Sequence, residues 1–388
     1  MIKLTLTIFF VVSIIFSTIY TPQAILPTLK EVFNLTIQEA NLLLFGMLFI
    51  LMIATPFYAP IIKKFDKKKI MVVSTFFLFL AVIISSISTN YYTLLFSRIL
   101  QGIFIPGITA TMLVYIQEVY PKKHIGLGIG IYMSATSFGA VIGRLLAGWI
   151  TYKYSWNIAF SVFAGLLFVA FILMIIGFPS SENKLKIERN DTKNKNIFTY
   201  IFNKQIISIL LIPMAVFFSF MAITTFITYK LHLAPFELND AQIGNIFLVL
   251  LVAIFISPLA GRYSDKIGRI RIIYLGIFSL IIGIILTMIN IYFIILIGLS
   301  FVTIGMFSIQ SVTPAYLGDI VPNDKSTLAV LYQVFFYFGG AMGTILPILL
   351  WNSYGYNGVA LFCIILIMLI ITIFIYLQDK INIKYNNY

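Results

Sequence analysis

The chain has 388 residues, of which 61% are hydrophobic and only 10% are charged, and its mean hydropathy is +1.03. This balance excludes a soluble globular domain and indicates a protein that crosses a membrane several times. The net charge of +13 at pH 7 would suit a nucleic-acid-binding protein, but the basic residues lie mainly in short loops between apolar runs. Because lysine and arginine in such loops set membrane topology, we expect no nucleic-acid partner.

Twelve apolar runs are each long enough to cross a bilayer as a helix. A helix rises about 1.5 Å per residue, so about 20 apolar residues span the hydrocarbon core. The runs therefore predict an all-α, multi-pass membrane protein with twelve transmembrane helices. In chain order, these first to twelfth spans are predicted at residues 5–27, 40–62, 70–89, 92–118, 125–150, 157–178, 205–229, 242–261, 271–289, 291–318, 327–350 and 357–377.

The first span begins near the N-terminus and has Lys3 before its apolar run, as a signal peptide would. It continues to Pro22 and Gln23 without a small-x-small cleavage site, so we interpret it as a retained helix. With the N-terminus inside, most lysines and arginines fall on the cytoplasmic side. The positive-inside rule therefore predicts that both termini are cytoplasmic.

A hydrophilic insert separates two halves of similar length. Residues 179–204 are rich in charged and amide side chains, which is typical of a flexible cytoplasmic linker. We expect residues 1–178 to form an N-terminal six-helix bundle and residues 205–388 to form a C-terminal one.

The two halves repeat each other at an offset close to 200 residues. Gly139 and Gly143 in the fifth span recur as Gly339 and Gly343 in the eleventh span. Glycines four apart share one helix face and let a neighbouring helix approach closely. Two further stretches repeat, with residues 114–121 aligned to 315–322 and residues 59–67 to 261–269. This agreement indicates a duplicated membrane protein.

Two arginines lie inside apolar spans. Arg98 and Gln101 are three apart on one face of the fourth span, and Arg144 lies in the fifth span beside the glycine pair. An arginine at the centre of a spanning helix costs roughly 3 kcal/mol on insertion scales, so it usually faces protein or a water-filled path. Two interpretations stay open: a polar cluster that attracts anions or responds to protons, or donors to backbone carbonyls and a tyrosine that lock helices together.

Acidic residues are absent from the middle third of every predicted span. A pocket that concentrates organic cations usually contains a buried carboxylate. With two intramembrane cations and no such acid, the sequence predicts substrates that are neutral or anionic small molecules, or aromatic molecules held by stacking.

Three motifs carry a family resemblance. Residues 261–269 read G-R-Y-S-D-K-I-G-R, which resembles the G-x-x-x-D-x-x-G-R signature of the major facilitator superfamily, and Arg98-x-x-Gln101-Gly resembles its R-x-x-Q-G motif. The fifth-span stretch G-x-x-x-G-R-L-x-x-G is similar to bacterial efflux proteins of the acriflavine-sensitivity type. Four positions depart from the pattern. In the first half Lys63 stands in place of the signature aspartate, and Ala59 and Asp66 stand in place of its glycines; in the fifth span Ala140 replaces the proline of the antiporter motif.

The resemblance implies two pseudo-symmetric six-helix bundles, transport by alternating access, and a place in a bacterial inner membrane. It also implies that the first, fourth, seventh and tenth spans line a central cavity. The substrate or ion pathway would then include Tyr20, Gln23, Arg98, Gln101, Thr224 and Gln310, together with Arg144 of the fifth span. We expect proton-coupled efflux of a drug-like molecule or metabolite. Uptake or exchange of a sugar or organic anion is the alternative.

The signature loop after the eighth span predicts a cytoplasmic gate. We expect Asp265 to accept hydrogen bonds from the amides at the start of a neighbouring helix, and Arg269 to reach Asp319 at the inner end of the tenth span. Gly261 and Gly268 complete the motif. Breaking these bonds would release the inner ends of the bundles.

The corresponding loop of the first half predicts a weaker latch. Glu118 is expected to pair with Lys64 or Lys67, but Lys63 cannot accept an amide hydrogen bond as an aspartate would. The latch is therefore predicted to be asymmetric and stronger in the second half.

Other classes of protein fit the sequence less well. No G-x-x-x-x-G-K-[ST] loop occurs, so energy would come from an ion or solute gradient. An intramembrane enzyme would need Asp, His, Cys or Glu converging at membrane depth, and the two-domain repeat argues against a channel. Cys363 is the only cysteine, and His124 and His232 lie in loops where we expect them to be solvated, so no metal site and no cofactor are predicted. We expect a monomer whose partners are its substrate, protons and membrane lipids.

Overall fold

The computed structural model describes residues 2–121, 124–180, 200–321 and 325–386. Within these residues all regular structure is helical, and twelve helices are long and apolar enough to cross a membrane. The predicted fold class and number of spans are thereby confirmed. The spans are Ile2–Val32, Ile37–Lys64, Lys67–Ser86, Tyr91–Val119, Ile125–Lys153, Trp156–Gly177, Lys204–His232, Asp240–Ile267, Arg269–Met288, Tyr292–Ile320, Thr327–Ile345 and Ile348–Leu377.

The first and eighth spans are interrupted. The first breaks after Ala24 and continues as Leu26–Val32, where Pro27 lies in the first turn and needs no donor partner. The eighth changes from α-helix to a 3₁₀ turn at Phe247–Leu251 and returns to α-helix at Val252. A 3₁₀ stretch inside a helix has poorer hydrogen-bond geometry and often marks a hinge.

The last two helices differ from the predicted boundaries. The eleventh, Lys325–Ile345, stops before Pro347, and the twelfth, Ile348–Asn386, starts directly after it. Pro347 has no backbone N–H to continue the eleventh helix, but its carbonyl accepts the Trp351 amide and so opens the twelfth. Gly355 then bends the twelfth helix at a φ of 60°, which glycine adopts without steric cost.

Capping boxes fix the starts of two spans at the predicted outer side. Thr36 accepts from the amide of Glu39, whose carboxylate accepts the Thr36 amide in return. Asn239 and Gln242 make the same reciprocal pair before the eighth span. Each box satisfies two amides that the helix leaves free, and the second box fixes where residues 240–246 begin.

The helices form two compact units. Unit 1 comprises Met1–Glu188 together with Thr228–Ile254, and unit 2 comprises Arg189–Ile227 together with Phe255–Tyr388. The end of the seventh span and the first part of the eighth therefore pack with the helices of the first half.

The predicted bundle borders, residues 1–178 and 205–388, stay a prediction. Most of the predicted linker 179–204 lies outside the described residues, because residues 181–199 are not described.

The glycine pair of the fifth span brings two backbones together in unit 1. A Cβ on Gly139 would overlap the backbone of Ser13, and one on Gly143 would overlap the backbone of Ser17, both in the first span. The fifth span therefore packs against the first with no side chain between them, as the spacing predicts.

Unit 2 repeats this packing. A Cβ on Gly339 would overlap the backbone of Met214, and one on Gly343 would overlap that of Phe218, both in the seventh span. The duplicated glycines thus serve the same close helix contact in each half.

Candidate functional site

Arg98 is fully buried in unit 1, and each of its side-chain nitrogens has an acceptor. Nη1 donates to the Thr18 carbonyl at 3.0 Å, Nη2 to the Ile19 carbonyl at 2.8 Å, and Nε to the Leu43 carbonyl at 3.3 Å. Thr18 lies four residues before Pro22, which has no N–H, so the Thr18 carbonyl lacks its usual helical donor. Arg98 supplies that donor and ties the first and second spans to the fourth.

Gln101 extends this buried network. Its side-chain oxygen accepts from Nη1 of Arg98, and its amide donates to Oγ of Ser85 at 2.8 Å. Ser85 shares a further hydrogen bond with Ser97 at 2.7 Å. The contacts of Arg98 and Gln101 are thus made within the unit, which favours the interpretation that this pair locks helices together.

Arg144 is also buried, with 1% of its surface exposed, but its hydrogen bonding is incomplete. Nε donates to Oε1 of Gln23 at 2.7 Å, and Nη1 donates to the carbonyl of Ala140, one turn back, at 2.7 Å. Nη2 is buried and has no hydrogen-bond partner in the described part of the chain. The rings of Tyr20 and Phe247 lie 4.1 Å and 4.8 Å from the guanidinium carbon. Arg144 therefore keeps an unused charged donor inside the protein.

The two arginines differ in how far their interactions offset the cost of burying a charge. Among the described residues, neither forms an ion pair with a carboxylate. Hydrogen bonds to a charged group contribute about 1.5–3 kcal/mol each, and a cation–π contact contributes about 0.5–2 kcal/mol. The hydrogen bonds of Arg98 offset the free-energy cost of burying its charge. Arg144 leaves a charged N–H without an acceptor among the residues described.

The predicted pathway residues of unit 2 lie beside an aromatic pair. Thr224 is buried and donates to the Phe220 carbonyl at 2.6 Å. Gln310 is half-buried, and its backbone carbonyl accepts from the Tyr332 hydroxyl at 3.4 Å. The rings of Phe220 and Phe307 meet edge to face at 6.1 Å. That Thr224 and Gln310 line a substrate path stays a prediction.

Residues 228–254 make contacts in unit 1 that sequence patterns do not reveal. Gly148 of the fifth span and Gly244 bring two backbones together, which places Phe247 against Arg144. Aromatic and amide residues occur throughout the spans, so their spacing carries no signal for these contacts. Further contacts join Thr28 to Asp240 at 2.7 Å, Asn41 to Tyr229 at 2.8 Å, Trp149 to Asn245 at 2.9 Å and Glu31 to His232 at 3.1 Å.

The contact with Glu31 corrects one prediction. The sequence predicts a solvated His232, but its side chain is only 28% exposed and lies against that carboxylate. The reason is the packing of the end of the seventh span into unit 1, which no local pattern predicts.

The ion pair predicted in the first half is present in unit 1, at the end that the sequence predicts to be cytoplasmic. Nζ of Lys67 lies 2.9 Å from Oε1 of Glu118, and their side chains are only 5% and 2% exposed. The second oxygen of Glu118 is buried without a hydrogen bond among the described residues. Of the two predicted partners, Lys67 is the one that reaches the acid, because it lies at the start of the third span, beside the fourth.

The loop of the second half has a different arrangement from the one predicted. Nε of Arg269 lies 3.1 Å from Oδ2 of Asp319, as expected, but Nη1 of Arg269 also lies 2.7 Å from Oδ1 of Asp265. Asp265 therefore pairs with the arginine four residues on, and in the described part of the chain it does not accept the amides of a neighbouring helix. Gly268, at a φ of 99°, makes the turn that starts the ninth span at Arg269, whereas Gly261 has open space around it.

The ion pairs of the two halves differ in burial, and the predicted difference in latch strength stays a prediction. The side chains of Asp265 and Asp319 are 65% and 59% exposed, so their ion pairs are screened by water. The Lys67–Glu118 pair is the buried one. Whether these pairs act as a gate stays a prediction.

Comparison with known families decides the kind of protein that these helices form. The sequence model of the Major Facilitator Superfamily matches residues 8–238 and again residues 215–387, so both halves match. The chain belongs to the major facilitator superfamily. Membership explains the duplicated helix packing and makes the chain a secondary transporter of a small molecule.

Relatives within the superfamily match along most of the chain. An uncharacterized transporter of Buchnera aphidicola subsp. Schizaphis graminum is 30% identical over 355 residues, which cover 91% of this chain and 86% of the relative. The MFS-type transporter YybF of Bacillus subtilis is 26% identical over 348 residues, covering 89% and 85%. The inner membrane transport protein YnfM of Escherichia coli is 24% identical over 374 residues, covering 96% and 89%. The named function of these relatives is transport.

A solved structure supports the fold. It is a bacterial homologue of the human lysosomal transporter Spinster in an inward-facing, unoccupied conformation. The TM-score is 0.80, with 97% of this chain and 96% of that chain covered. Because the sequences are only 11% identical, the similarity shows the major facilitator fold alone.

Proposed function

We propose that this member of the superfamily exports a drug-like molecule or a metabolite in exchange for protons, by alternating access, with neutral or anionic substrates preferred. The observation that carries the proposal is the pair of buried arginines in unit 1, neither of which contacts a carboxylate among the described residues. A cationic substrate would meet uncompensated positive charge, which costs free energy in a low-dielectric site. A neutral or anionic substrate meets no such repulsion.

The residues proposed for the path are polar groups of the spans. Tyr20, Gln23 and Arg144 would contribute in unit 1, and Thr224 and Gln310 in unit 2. Arg98 and Gln101 would act by holding the proline-bearing first span in shape. These assignments are supported by burial and by the absence of an acid partner for the two arginines among the described residues. Each can be tested by substituting the residue.

Uptake or exchange of a sugar or organic anion is the second candidate function. The observation that favours it is the lack of Asp and Glu in the middle third of every predicted span. Proton-coupled carriers commonly pass protons along intramembrane acids or histidines. Exchange of one solute for another needs no such group.

We place the transporter in the cytoplasmic membrane of a bacterium, as a monomer surrounded by lipid, with both termini in the cytoplasm. The distribution of lysine and arginine between loops supports this orientation. The relative YnfM is named an inner membrane transport protein, which is consistent with the same location.

The inner ion pairs are proposed to act as a gate between inward-open and outward-open states. Asp265→Asn would remove one of the two acids that hold Arg269, and should shift the ratio of inward to outward accessibility measured by labelling of single cysteines. If the ratio and the transport rate both stay unchanged, these charges only set topology.

Flux in proteoliposomes tests the coupling. Drugs, sugars and organic anions are loaded singly, and their exit is measured with and without an imposed pH gradient. Proton-coupled export predicts that acidifying the opposite side speeds exit of the substrate and that a protonophore abolishes this effect. Flux that responds to a solute gradient but ignores the pH gradient would replace export with exchange.

A further inference from the structure

The two buried arginines of unit 1 differ in whether all of their side-chain nitrogens have hydrogen-bond acceptors. Arg98 directs its nitrogens to the carbonyls of Thr18, Ile19 and Leu43, and the first of these is the carbonyl freed by a proline. Arg144 has one nitrogen, Nη2, that is buried without an acceptor among the described residues. Arg98 is therefore part of the scaffold, whereas Arg144 still has a hydrogen bond to donate.

The surroundings of Arg144 orient that free donor. Gln23 holds Nε, and the carbonyl of Ala140 holds Nη1, so the guanidinium has a fixed position. The rings of Tyr20 and Phe247 pack against it at 4.1 Å and 4.8 Å. Aromatic rings lower the local dielectric and strengthen the interaction of the cation with any anion that reaches it.

We propose that Arg144 binds the carboxylate of a small organic acid, and that this acid is the transported molecule. The inference rests on the proposed transport function and deepens it by naming the substrate class. A carboxylate carries one negative charge and accepts directional hydrogen bonds from a guanidinium, which matches a single cation with a single free nitrogen. A phosphate ester, which carries more charge, usually requires several basic groups, and of the two buried arginines described in unit 1 only Arg144 has a free nitrogen.

Phe247 controls access to the site. It is the first residue of the 3₁₀ turn Phe247–Leu251, the segment of the eighth span with the weakest helical hydrogen bonding. Gly148 lies against the backbone near Gly244, and the indole N–H of Trp149 donates to Oδ1 of Asn245 at 2.9 Å, so this segment packs closely on the fifth span. The Phe247 ring lies 4.8 Å from the guanidinium carbon, so movement of this segment would open one face of Arg144 to the carboxylate and to its apolar body.

Thermal unfolding of the purified full-length protein tests the site directly. Sodium benzoate supplies a carboxylate on an apolar ring, benzamide supplies the neutral analogue, and benzylammonium supplies the cation. Sodium phosphate serves as the multivalent anion, with chloride held constant. The unfolding free energy of the wild-type protein should rise with the logarithm of the benzoate concentration once this exceeds the dissociation constant, and should not change with the other three compounds.

Three variants and one control sharpen this test. Arg144→Gln should abolish the benzoate effect, and Arg144→Lys should raise the benzoate concentration needed for the same thermal shift about tenfold or more, since lysine keeps the charge but loses the planar donor. Lys153→Gln removes an exposed cation from the same span and should respond to benzoate as the wild type does. Phe247→Ala keeps Arg144 and should lower the benzoate concentration needed for the same thermal shift severalfold.

The proposal is overturned if no benzoate effect exists in the wild type, if Arg144→Gln retains it, or if benzamide or phosphate stabilises equally well. Counterflow of radiolabelled benzoate in proteoliposomes separates this failure from failure of the transport function. Binding that depends on Arg144 without counterflow would keep the site and refute its transport role. Saturable counterflow of a neutral solute that Arg144→Gln leaves unchanged would keep the transporter and refute the site.

Discussion

Arg98 and Pro22 form one structural device at the scale of single residues. Proline leaves the Thr18 carbonyl without a helical donor, and Arg98, 80 residues further along the chain than Thr18, provides one. The hydrogen bond between them thus reduces both the cost of burying a guanidinium and the cost of leaving a carbonyl without a donor. The position of Arg98 in a span is visible in the sequence. The carbonyl that it reaches is not, because that depends on how the first and fourth spans pack.

A double-mutant cycle tests this coupling. Arg98→Met should destabilise the protein by about 2–4 kcal/mol, because it leaves the Thr18 carbonyl and the side chain of Gln101 without their donor. In a Pro22→Ala background the cost should be smaller by about 1 kcal/mol or more, since the substituted backbone regains the N–H that proline lacks. The measurement is the thermal unfolding midpoint of the four proteins in detergent. Equal costs in both backgrounds would show that Arg98 does not act on the proline break.

At the scale of helices, the shared feature of the two halves is close packing at paired glycines. Gly143 meets the backbone of Ser17 in unit 1, and Gly343 meets that of Phe218 in unit 2. In lipid there is little hydrophobic drive between helices, so close van der Waals contact of this kind is a main source of association. The repeat of glycines at a fixed offset predicted both contacts.

Substitution of glycine by alanine should destabilise the protein where another backbone lies close and should have little effect where the space is open. Gly143→Ala and Gly343→Ala should each destabilise by about 1–3 kcal/mol, because the added methyl overlaps a backbone that cannot rotate away. Gly130→Ala, in the same helix as Gly143 but with nothing near its Cβ in the described part of the chain, should be neutral or slightly stabilising. Unfolding midpoints compare the three. Equal effects of Gly143→Ala and Gly130→Ala would contradict the packing assignment.

At the scale of the whole molecule, the duplicated halves keep the same helix contacts but differ in charge. Glu118 and Asp319 occupy matching places in the repeat, yet the first belongs to a buried ion pair and the second to exposed ones. Arg144 is matched by Thr344, so the cation at this place in the repeat exists in the first half and not in the second. The two halves thus share their helix packing, and single residues at matching places have diverged in charge.

Neutralising the two matched acids should have unequal effects. Glu118→Gln should destabilise by about 3–5 kcal/mol, because the buried ammonium of Lys67 loses its ion pair with the Glu118 carboxylate. Asp319→Asn should cost about 0–1 kcal/mol, since its pair is exposed and Asp265 still holds Arg269. Unfolding at low and high salt is the measurement, and only the smaller effect should depend on salt. If Asp319→Asn lost more stability than Glu118→Gln, the ion pairs of the second half would be the stronger ones, as the loop sequences predict.

Local patterns predicted much of this protein, and long-range packing accounts for the rest. Hydropathy predicted twelve spans, and the repeat predicted the glycine contacts in both halves. The packing of residues 228–254 within unit 1 has no local signal, so neither Phe247 over Arg144 nor Glu31 beside His232 could be predicted. The pairing of Asp265 was also missed, because the choice between Arg269 and a helix amide depends on the turn at Gly268.

The most direct measurement is trans-stimulated flux in proteoliposomes across a series of solutes matched in size and differing in charge. The proposed function predicts saturable flux that internal solute accelerates, present for neutral or anionic members and absent for permanent cations. Selective transport of permanent cations, or flux that neither saturates nor responds to solute on the opposite side, would contradict it.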